Sequence, residues 1–381
     1  RTVAPLVAPR NPYLGIMLPY TPLHHVLLRE LGFPVVATSG NLSDEPICTD
    51  EQEALERLGG IADAFLVHNR PIARPMDDSI VRVVAGQETV LRRARGFAPR
   101  PLPTAETSRA VLAVGAHLKN TVALAHRDAV LISQHIGDLE TLQSGEAFRN
   151  AVNALEELYE TRPAIAACDM HPDYLSTKYA RGLNLPTFPV QHHHAHIAAC
   201  MAENDLDDQV LGVAWDGTGY GTDGTIWGGE FLVATRKEFK RVGRFRQFRL
   251  PGGEAAIREP RRAAIGALYE MIGDAAFERT DLPPVAAFTA PELAVLKSML
   301  HSGLHSPLTS SAGRLFDIAA SLLGLRQVST FEGQAAMELE FAIDGDTSES
   351  YPFRLEDSGS CVIVNWAPVL ECLLDDRLKA V

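Results

Sequence analysis

The sequence predicts an α/β protein made of two units. Short apolar segments alternate with amphipathic segments, as expected for strands followed by helices. A proline-rich stretch at residues 99–107 separates an early group of these segments from a later group. The later group opens twice, at residues 110 and 210, with an apolar strand that runs into a glycine-containing turn. This repeated opening favours two equivalent lobes with a nucleotide between them.

Composition limits the class of protein. The chain has 381 residues, enough for two or three domains, and 46% of them are hydrophobic. Its formal net charge of −13 argues against a general nucleic-acid binder. No apolar run approaches the roughly 18 residues of a membrane span, so no membrane partner is expected. The five cysteines are scattered without a CxxC pair, which indicates a reducing compartment, and we expect a cytoplasmic protein. Because the chain begins with Arg1 and not with Met, we expect it to lie inside a longer protein.

Residues 1–103 form the first predicted unit. Its predicted helices lie at residues 23–31 and 49–58. Its predicted strands are short and apolar, and they lie at residues 14–17, 34–38, 65–68 and 80–84.

Two polar groups in this unit suit an anion or a nucleotide. Ser39 and Asn41 follow a predicted strand, where small hydrogen-bonding residues can form a turn around an anion. An ordinary turn that caps the next helix explains these two residues equally well. Arg92, Arg93 and Arg95 could bind polyphosphate through forked hydrogen bonds. A solvated, charged strand end is the alternative for the arginines.

Residues 104–109 are predicted as a linker and residues 110–381 as the second unit. Two strands, 121–125 and 129–134, are predicted to be joined by a tight turn at 126–128. The elements that follow are a helix at 144–159, a strand at 164–168, a helix at 174–180 and a strand at 187–190. A β-hairpin followed by this βαβα order is how an actin-like ATPase lobe begins.

Four histidines lie within residues 192–196. In a helix from Gln191 to Glu203, His192 and His196 lie one turn apart on the same face. Two imidazoles at this spacing can bind one metal ion. In such a helix, His193 is expected to point elsewhere. A polar helix start is the alternative, and a metal site would need at least one carboxylate from elsewhere in the chain.

A glycine-rich pattern follows the strand predicted at residues 210–215, and it reads Asp216-Gly217-Thr218-Gly219-Tyr220-Gly221. Glycine lets backbone amides approach an anion, and the threonine adds a hydroxyl group. The aspartate could hold a Mg²⁺ ion that bridges phosphates. The same pattern also describes a β-hairpin connection.

Further helices are predicted at residues 261–272, 290–301, 318–325 and 334–340. Asp317 precedes the third of these helices, and its two carboxylate oxygens could accept both hydroxyls of a ribose. An acid placed at a helix N-terminus for the helix dipole is the alternative. Residues 344–359 are polar and predicted as a loop.

Several of these motifs resemble those of the HypF-type carbamoyltransferases of nickel–iron hydrogenase maturation. They are Thr38-Ser39-Gly40-Asn41-Leu42-Ser43-Asp44-Glu45-Pro46, Arg92-Arg93-Ala94-Arg95-Gly96-Phe97-Ala98-Pro99, Gln191-His192-His193-His194-Ala195-His196, Trp215-Asp216-Gly217-Thr218-Gly219-Tyr220-Gly221 and Leu250-Pro251-Gly252-Gly253. The resemblance covers essentially the whole chain, in the family's own domain order.

The resemblance implies a fold for each unit. The first unit is similar to the latter part of a YrdC-like α/β domain. The second is similar to most of a two-lobed, actin-like ATPase (ASKHA) domain, which is also found in enzymes that modify tRNA with threonylcarbamoyl groups. The family's late aspartate metal ligand and its closing glycine-rich loop would lie beyond Val381, so this domain would be truncated at its C-terminus.

The resemblance also implies an activity. Carbamoyl phosphate and ATP would give carbamoyl-adenylate in the YrdC-like domain. The second domain would pass the carbamoyl group to the C-terminal cysteine thiol of the partner protein HypE, as the precursor of a cyanide ligand of the hydrogenase iron. The implied cofactors are ATP, Mg²⁺ and one transition metal, for which iron and zinc are equally suited.

Site residues can be carried over by the same resemblance. The first site would hold its nucleotide with Ser39 and Asn41, and with Arg93 or Arg95. The metal ligands would be His192 and His196, which with Asp216 would be catalytic. The second nucleotide would be bound by Lys119, Asn120, Gly217, Thr218, Gly219, Gly313 and Asp317, the last of them facing the ribose.

Three other functions are compatible with parts of this pattern. A tRNA threonylcarbamoylating enzyme shares both domain types, but usually on separate chains. A small-molecule O-carbamoyltransferase is expected to have the two domains in the opposite order. A chain of this extent could also be an ATP-binding scaffold without chemistry of its own.

Overall fold

The computed structural model describes residues 4–43, 45–343, 345 and 348–379. The chain forms two compact units. The small unit comprises residues 32–190, and the large unit comprises residues 1–31 together with residues 191–381. Helix α1 (Pro22–Leu31) belongs to the large unit.

The first part of the small unit contains one helix and one hairpin, namely α2 (Glu51–Leu58), β1 (Ile80–Val84) and β2 (Gln87–Arg92). The carboxylate of Asp50 caps α2 by accepting hydrogen bonds from the backbone N–H groups of the second and third helical residues. The hairpin turns at Ala85 and Gly86, which both have positive φ angles, as the tightest hairpin turns require.

The rest of the small unit is a four-stranded sheet with two helices. Its elements are β3 (Leu102–Ala113), β4 (Ala123–Ile132), α3 (Leu142–Leu158), β5 (Ile165–Asp169), α4 (Leu175–Gly182) and β6 (Thr187–Val190). The strand order is β4-β3-β5-β6, with β3 antiparallel to β4 and the other neighbours parallel. The predicted order of helix, strand, helix and strand over residues 144–190 is therefore confirmed, whereas the hairpin predicted within residues 121–134 is wrong, because both of its strands belong to β4.

Helix α3 closes the core of the small unit. Thr141 and Ser144 form a capping box that starts the helix. Phe148, Val152 and Leu155 lie at helical spacing and are buried in one cluster with the strands.

Three predicted strands are wrong. Residues 14–17, 34–38 and 65–68 do not pair with any strand among the described residues. The side chains of Val36 and Leu66 are 71% and 73% exposed, so these apolar segments lie outside any core. A strand needs a neighbouring backbone to accept and donate its hydrogen bonds, and local composition does not supply one.

The predicted linker and the predicted turn also differ from the structure. Residues 104–109 belong to the long strand β3, and residues 126–128 lie within β4. Arg127 has a φ angle of 55° where the register between the two strands shifts, so this position is an irregularity in one strand and not a reversal of the chain. The limits of the two predicted domains stay a prediction.

The large unit combines a seven-stranded sheet with helices. Its elements after α1 are α5 (His192–Glu203), β7 (Val210–Tyr220), β8 (Ile226–Ala234), β9 (Phe239–Phe245), β10 (Phe248–Arg249), α6 (Ala255–Arg258), α7 (Pro260–Ile272), α8 (Pro283–Ala286), α9 (Ala290–Ser302), β11 (Leu308–Thr309), α10 (Ala312–Leu322), α11 (Gln334–Phe341), β12 (Arg354–Asp357), β13 (Val362–Asn365) and α12 (Ala367–Lys379). The strand order is β10-β11-β8-β9-β13-β12, and β7 pairs with β8.

Two cores stabilise the large unit. Helices α7, α9 and α10 share an apolar cluster that includes Leu268, Leu296 and Leu322. The second cluster joins α5 to the hairpin of β7 and β8, where Ile197 and Met201 contact the strands. This second core fixes the histidine-rich helix on the sheet.

Two further predictions in the large unit need correction. The glycine-rich segment after residue 215 continues β7 as far as Tyr220, because Gly219 and Tyr220 still pair with β8. Helix α10 begins at Ala312 and not at residue 318, because the hydroxyl of Ser311 caps it. Asp317 therefore lies inside the helix. Among the described residues, no helix is both long enough and apolar enough to cross a membrane.

Candidate metal centre and anion cavity

Helix α5 presents two histidines on one face. Its start is defined by Gln191, whose side-chain Oε1 accepts a hydrogen bond of 2.9 Å from the backbone N–H of His194. His192 and His196 follow one turn apart, as predicted. Gly212 on β7 allows the close approach of this helix, since a Cβ atom there would lie 2.3 Å from the side chain of Ile197.

The two histidines meet a carboxylate. His192 Nε2 lies 3.1 Å from Asp216 Oδ2 and 3.2 Å from His196 Nε2. His196 Nε2 lies 3.6 Å from the same carboxylate oxygen. Ligands around a four-coordinate metal with bonds of about 2.0–2.1 Å are separated by roughly 3.3 Å. The three atoms therefore have the spacing of a cation site, and two imidazoles with one carboxylate suit iron or zinc.

Asp216 is held in an irregular part of β7. Its Oδ1 accepts a hydrogen bond of 2.6 Å from the backbone N–H of Gly217, and its carbonyl accepts one of 2.9 Å from the hydroxyl of Ser311. Burial favours the neutral acid, but hydrogen bonds with His192 and His196 outweigh burial and lower the pKa of Asp216. The carboxylate is therefore ionised, as a metal ligand must be.

His193 lies behind this group. Burial, together with the neighbouring His192, lowers the pKa of His193 to about 3, so its ring is neutral. The sequence had predicted that His193 points away from the other two histidines, but its ring faces the same carboxylate. Its Nε2 lies 3.9 Å from Asp216 Oδ2, and its Nδ1 lies 3.2 Å from the amide nitrogen of Gln191.

The glycines of this region have packing roles. A Cβ atom on Gly219 would lie 2.4 Å from Cε1 of His193, so the absence of a side chain at this position lets α5 pack close to β7. A Cβ atom on Gly313 would lie 2.8 Å from the Cα of Gly217, so α10 also approaches β7 closely. The predicted turn at Gly217, Thr218 and Gly219 is wrong, because these residues are part of a strand.

Asp317 forms a buried ion pair with Arg314, at 2.6 Å, within α10. Burial raises the pKa of Asp317 to about 6, although the guanidinium opposes the shift. The alternative of an acid placed at a helix start is wrong, since the residue lies in the second turn. Its assignment to a ribose stays a prediction.

Sequence reasoning missed a buried acidic residue, Glu230 on β8. Its carboxylate accepts hydrogen bonds from the N–H groups of Gly228 and Gly229 and from Arg241. Arg241 also stacks on Trp227, 4.0 Å from the ring centroid. An acidic residue after two glycines in an apolar strand was the available sign of this network, which holds β8 beside the candidate metal centre.

The small unit contains a cavity of about 290 Å³. It is lined by three predicted site residues, Ser39, Asn41 and Lys119. Arg92 lines it as well, whereas Arg93 and Arg95 do not. Arg93 donates a hydrogen bond to the carbonyl of residue 100, and Arg95 donates one to Asp78.

The loop after β3 brings Lys119 to this cavity. Its backbone N–H donates a hydrogen bond of 2.6 Å to Asp138, and its φ angle is 48°. The neighbouring Asn120 is buried, and its amide nitrogen donates to the carbonyls of Val114 and Ala116. Asn120 therefore shapes the loop with its amide N–H groups.

Three family models match the chain in succession. They are described as "Telomere recombination" of the Sua5, YciO and YrdC group over residues 1–94, "HypF Kae1-like domain" over residues 106–203, and "Carbamoyltransferase, Kae1-like Domain, second subdomain" over residues 212–381. A protein named carbamoyltransferase HypF, from Synechocystis sp., is 46% identical over 98% of this chain and 51% of its own length. The chain belongs to the HypF family.

Other HypF proteins agree with this placement. Carbamoyltransferase HypF of Rhizobium leguminosarum bv. viciae is 42% identical over 88% of this chain and 44% of its own length. A crystal structure of full-length HypF in the phosphate- and nucleotide-bound form superposes with a TM-score of 0.92 and 41% identity, over 97% of this chain and 57% of that one. HypF from T. kodakarensis superposes with a TM-score of 0.88 and 34% identity, over 97% of this chain and 49% of that one.

The chain spans about half the length of the HypF relatives that it matches. The predicted fold class, a YrdC-like α/β portion followed by an actin-like portion of the Kae1 type, is confirmed by the family models and the superposed structures.

Proposed function

We propose that this chain is part of an ATP-dependent carbamoyltransferase of nickel–iron hydrogenase maturation. Its substrates would be carbamoyl phosphate and ATP, and the acceptor would be the C-terminal cysteine thiol of HypE. The convergence of His192, His196 and Asp216 carries the proposal, because their ligand atoms are close enough together to hold a cation and the chain belongs to the HypF family.

The first step would form carbamoyl-adenylate. Carbamate is a poor electrophile, and adenylation gives it a good leaving group. Water would first cleave carbamoyl phosphate to carbamate and phosphate. A carbamate oxygen would then attack the α-phosphorus of ATP, and pyrophosphate would leave as the carbamoyl-adenylate forms. The cavity of the small unit supports this step, since Ser39 and Asn41 bring polar side chains and Arg92 and Lys119 bring cationic donors, beside the carboxylates of Glu45, Asp77 and Asp138.

The second step would transfer the carbamoyl group from the adenylate to a thiol. The sulfur would bond to the carbamoyl carbon, AMP would be the leaving group, and the thiol proton would be released. A metal held by His192, His196 and Asp216 would supply Lewis-acid stabilisation of negative charge on the carbonyl or phosphate oxygen. The ionised Asp216 and the two imidazoles would hold that ion, and the buried side of α5 would keep them in place. None of the five cysteines belongs to the candidate centre, so the acceptor thiol would come from the partner protein.

The second nucleotide would be bound by several predicted residues. The segment 217–219, Gly313 and Asp317 lie in the large unit, where α10 packs against β7. Lys119 lines the cavity of the first step and Asn120 shapes the loop beside it, so we assign neither to this second site. Mg²⁺ would accompany the phosphates, as it does at most ATP sites.

Pyrophosphate exchange into ATP tests the first step. It should be measured with this chain and with a version extended to the length of its relatives, with and without carbamoyl phosphate. Exchange that requires carbamoyl phosphate would support adenylation of this substrate. No exchange in the folded, metal-loaded extended protein would contradict the mechanism and favour an ATP-binding scaffold.

Two arginines form a matched pair for this assay. Arg92→Ala should raise the KM for carbamoyl phosphate or ATP about tenfold or more, because it removes a charged donor from the cavity. Arg95→Ala should change the KM less than about threefold, because Arg95 is hydrogen-bonded to Asp78 and does not line the cavity. Equal effects of the two variants would contradict the placement of the first site in this cavity.

A further inference from the structure

Nε2 of His193 lies beside the candidate metal centre and is buried without a hydrogen-bond partner among the described residues. The side chain of His193 is fully buried. Buried polar groups are normally satisfied, so an unpaired one needs a reason.

The proton on this imidazole can be placed from its surroundings. Gln191 Oε1 accepts from the N–H of His194 at 2.9 Å, and Gln191 Nε2 donates to the carbonyl of Tyr220 at 3.3 Å. These two contacts fix the orientation of the amide, so its nitrogen faces His193 Nδ1 at 3.2 Å. An amide nitrogen can only donate, and Nδ1 must therefore be the acceptor. In a neutral imidazole the single proton is then on Nε2.

This N–H faces the carboxylate of the candidate centre. Nε2 of His193 lies 3.9 Å from Asp216 Oδ2, which is longer than a hydrogen bond. The same oxygen is 3.1 Å from His192 and 3.6 Å from His196. Without a cation, the nearer imidazole, that of His192, can donate its Nε2 proton to Asp216.

Cation binding changes which donors remain. An imidazole nitrogen that gives its lone pair to a metal carries no proton, so His192 and His196 can no longer donate to Asp216. Of the three imidazoles, His193 alone would then keep an N–H that faces this carboxylate. The backbone N–H of Gly217 already occupies the other oxygen, Oδ1.

We propose that His193 is a positioning residue, whose Nε2–H donates a hydrogen bond to Asp216 Oδ2 when the cation is bound and thereby orients the carboxylate. The proposal rests on the proposed metal binding at His192, His196 and Asp216. Gly219 supports it, since its missing side chain is what leaves space for the imidazole at this depth. Hydrogen-bonded groups behind a ligand commonly set metal affinity in this way.

Two substitutions separate the two ring nitrogens. His193→Asn places a polar atom near the position of Nδ1, so it can keep the contact with Gln191 but loses the donor toward Asp216. His193→Gln can place an amide N–H near the position of Nε2. The probe is Co²⁺, whose visible absorption reports both its affinity and its ligand geometry.

We expect the Asn variant to bind Co²⁺ about 10–100-fold more weakly than the wild type, with an altered visible spectrum. The Gln variant should bind within about threefold of the wild type, with a similar spectrum. Wild-type affinity and spectrum in the Asn variant would overturn the proposal. Equal weakening of both variants, with equal losses of melting temperature, would overturn it in favour of a packing role.

The underlying metal centre is tested separately by the wild type and by a variant that lacks both His192 and His196. If the wild type does not bind Co²⁺, or the double variant still does, the metal centre itself is wrong and the role of His193 is overturned with it. Tight binding by the wild type, lost in the double variant and unaffected in the Asn variant, would overturn the role of His193 alone.

Discussion

Substitution of Gly219 by alanine tests whether the glycines of β7 serve packing or phosphate binding. An added Cβ atom would lie 2.4 Å from Cε1 of His193 and 3.0 Å from Cβ of His192. Carbon atoms in contact are about 3.5–4.0 Å apart, so the His193 ring would have to move by about 1 Å. The ring is fully buried, and its Nδ1 contacts Gln191, so this movement disturbs the start of α5.

The expected cost follows from this overlap. Overpacking of a buried site costs about 1–3 kcal/mol, and the reduced entropy of the unfolded chain offsets about 0.4–1 kcal/mol of that. We therefore expect the Gly219→Ala variant to lose about 1–2 kcal/mol of unfolding free energy, or roughly 2–8 °C of melting temperature. Because His192 is displaced as well, Co²⁺ affinity should fall at least about tenfold.

Gly217→Ala is the matched control on the same strand. A Cβ atom there would lie 3.5 Å from the guanidinium of Arg314, which is an ordinary contact. This variant should keep its stability within about 1 kcal/mol and its Co²⁺ affinity within about threefold. Thermal unfolding and cobalt titration of both variants decide the matter. If Gly219→Ala has wild-type stability and metal affinity, the packing argument is refuted.

Two further predictions concern charge and metal. His192→Ala combined with His196→Ala should abolish stoichiometric metal binding, measured by elemental analysis, while the circular dichroism spectrum stays that of the wild type; unchanged metal content would contradict the assignment. Asp317 has a pKa raised by burial to about 6, against about 3.9 unfolded, so its protonated form stabilises the fold below about pH 4 and this stabilisation is lost as pH rises through 6. The free energy of unfolding, measured with urea, should therefore fall by up to about 3 kcal/mol between about pH 4 and pH 7 because of this group. Asp317→Asn should remove this dependence on pH between about pH 4 and 6. A slope that persists in the variant would assign the titration to another group.

Elements with strong local signals could be predicted from the sequence. The histidine helix, the strand before it and the succession of α3, β5 and α4 depend on apolar periodicity, and the structure confirms them. The strands at residues 34–38 and 65–68 could not be excluded, because strand formation depends on a partner that local composition does not reveal. The start of α10 was predicted too late because Asp317 is a favourable residue at a helix N-terminus and Gly313 disfavours a helix, whereas Ser311 caps the helix in the structure.

In the candidate site, too, features that depend on local sequence could be predicted and features that depend on packing could not. The spacing of His192 and His196 was visible in the sequence, since both lie on one helix. Their approach to Asp216 was not, because it depends on the packing of α5 against β7, twenty residues or more along the chain. Likewise, Arg92 lines the cavity and Arg93 does not, because successive residues of a strand point to opposite faces and the sequence does not show on which face the cavity lies.

The continuity of β3 has a practical consequence for dissecting the gene. Residues 104–109 look like a place to divide the chain, but they lie in the middle of a strand that pairs with β4. A break there would leave Leu102 and Pro103 on one fragment and Val111 on the other, although all three pair with the same neighbour. Each fragment would then expose unpaired backbone along a sheet edge, which favours aggregation. Separate expression of the two predicted domains with that boundary should give insoluble material, and co-expressed fragments should recover solubility only by completing the strand from both halves.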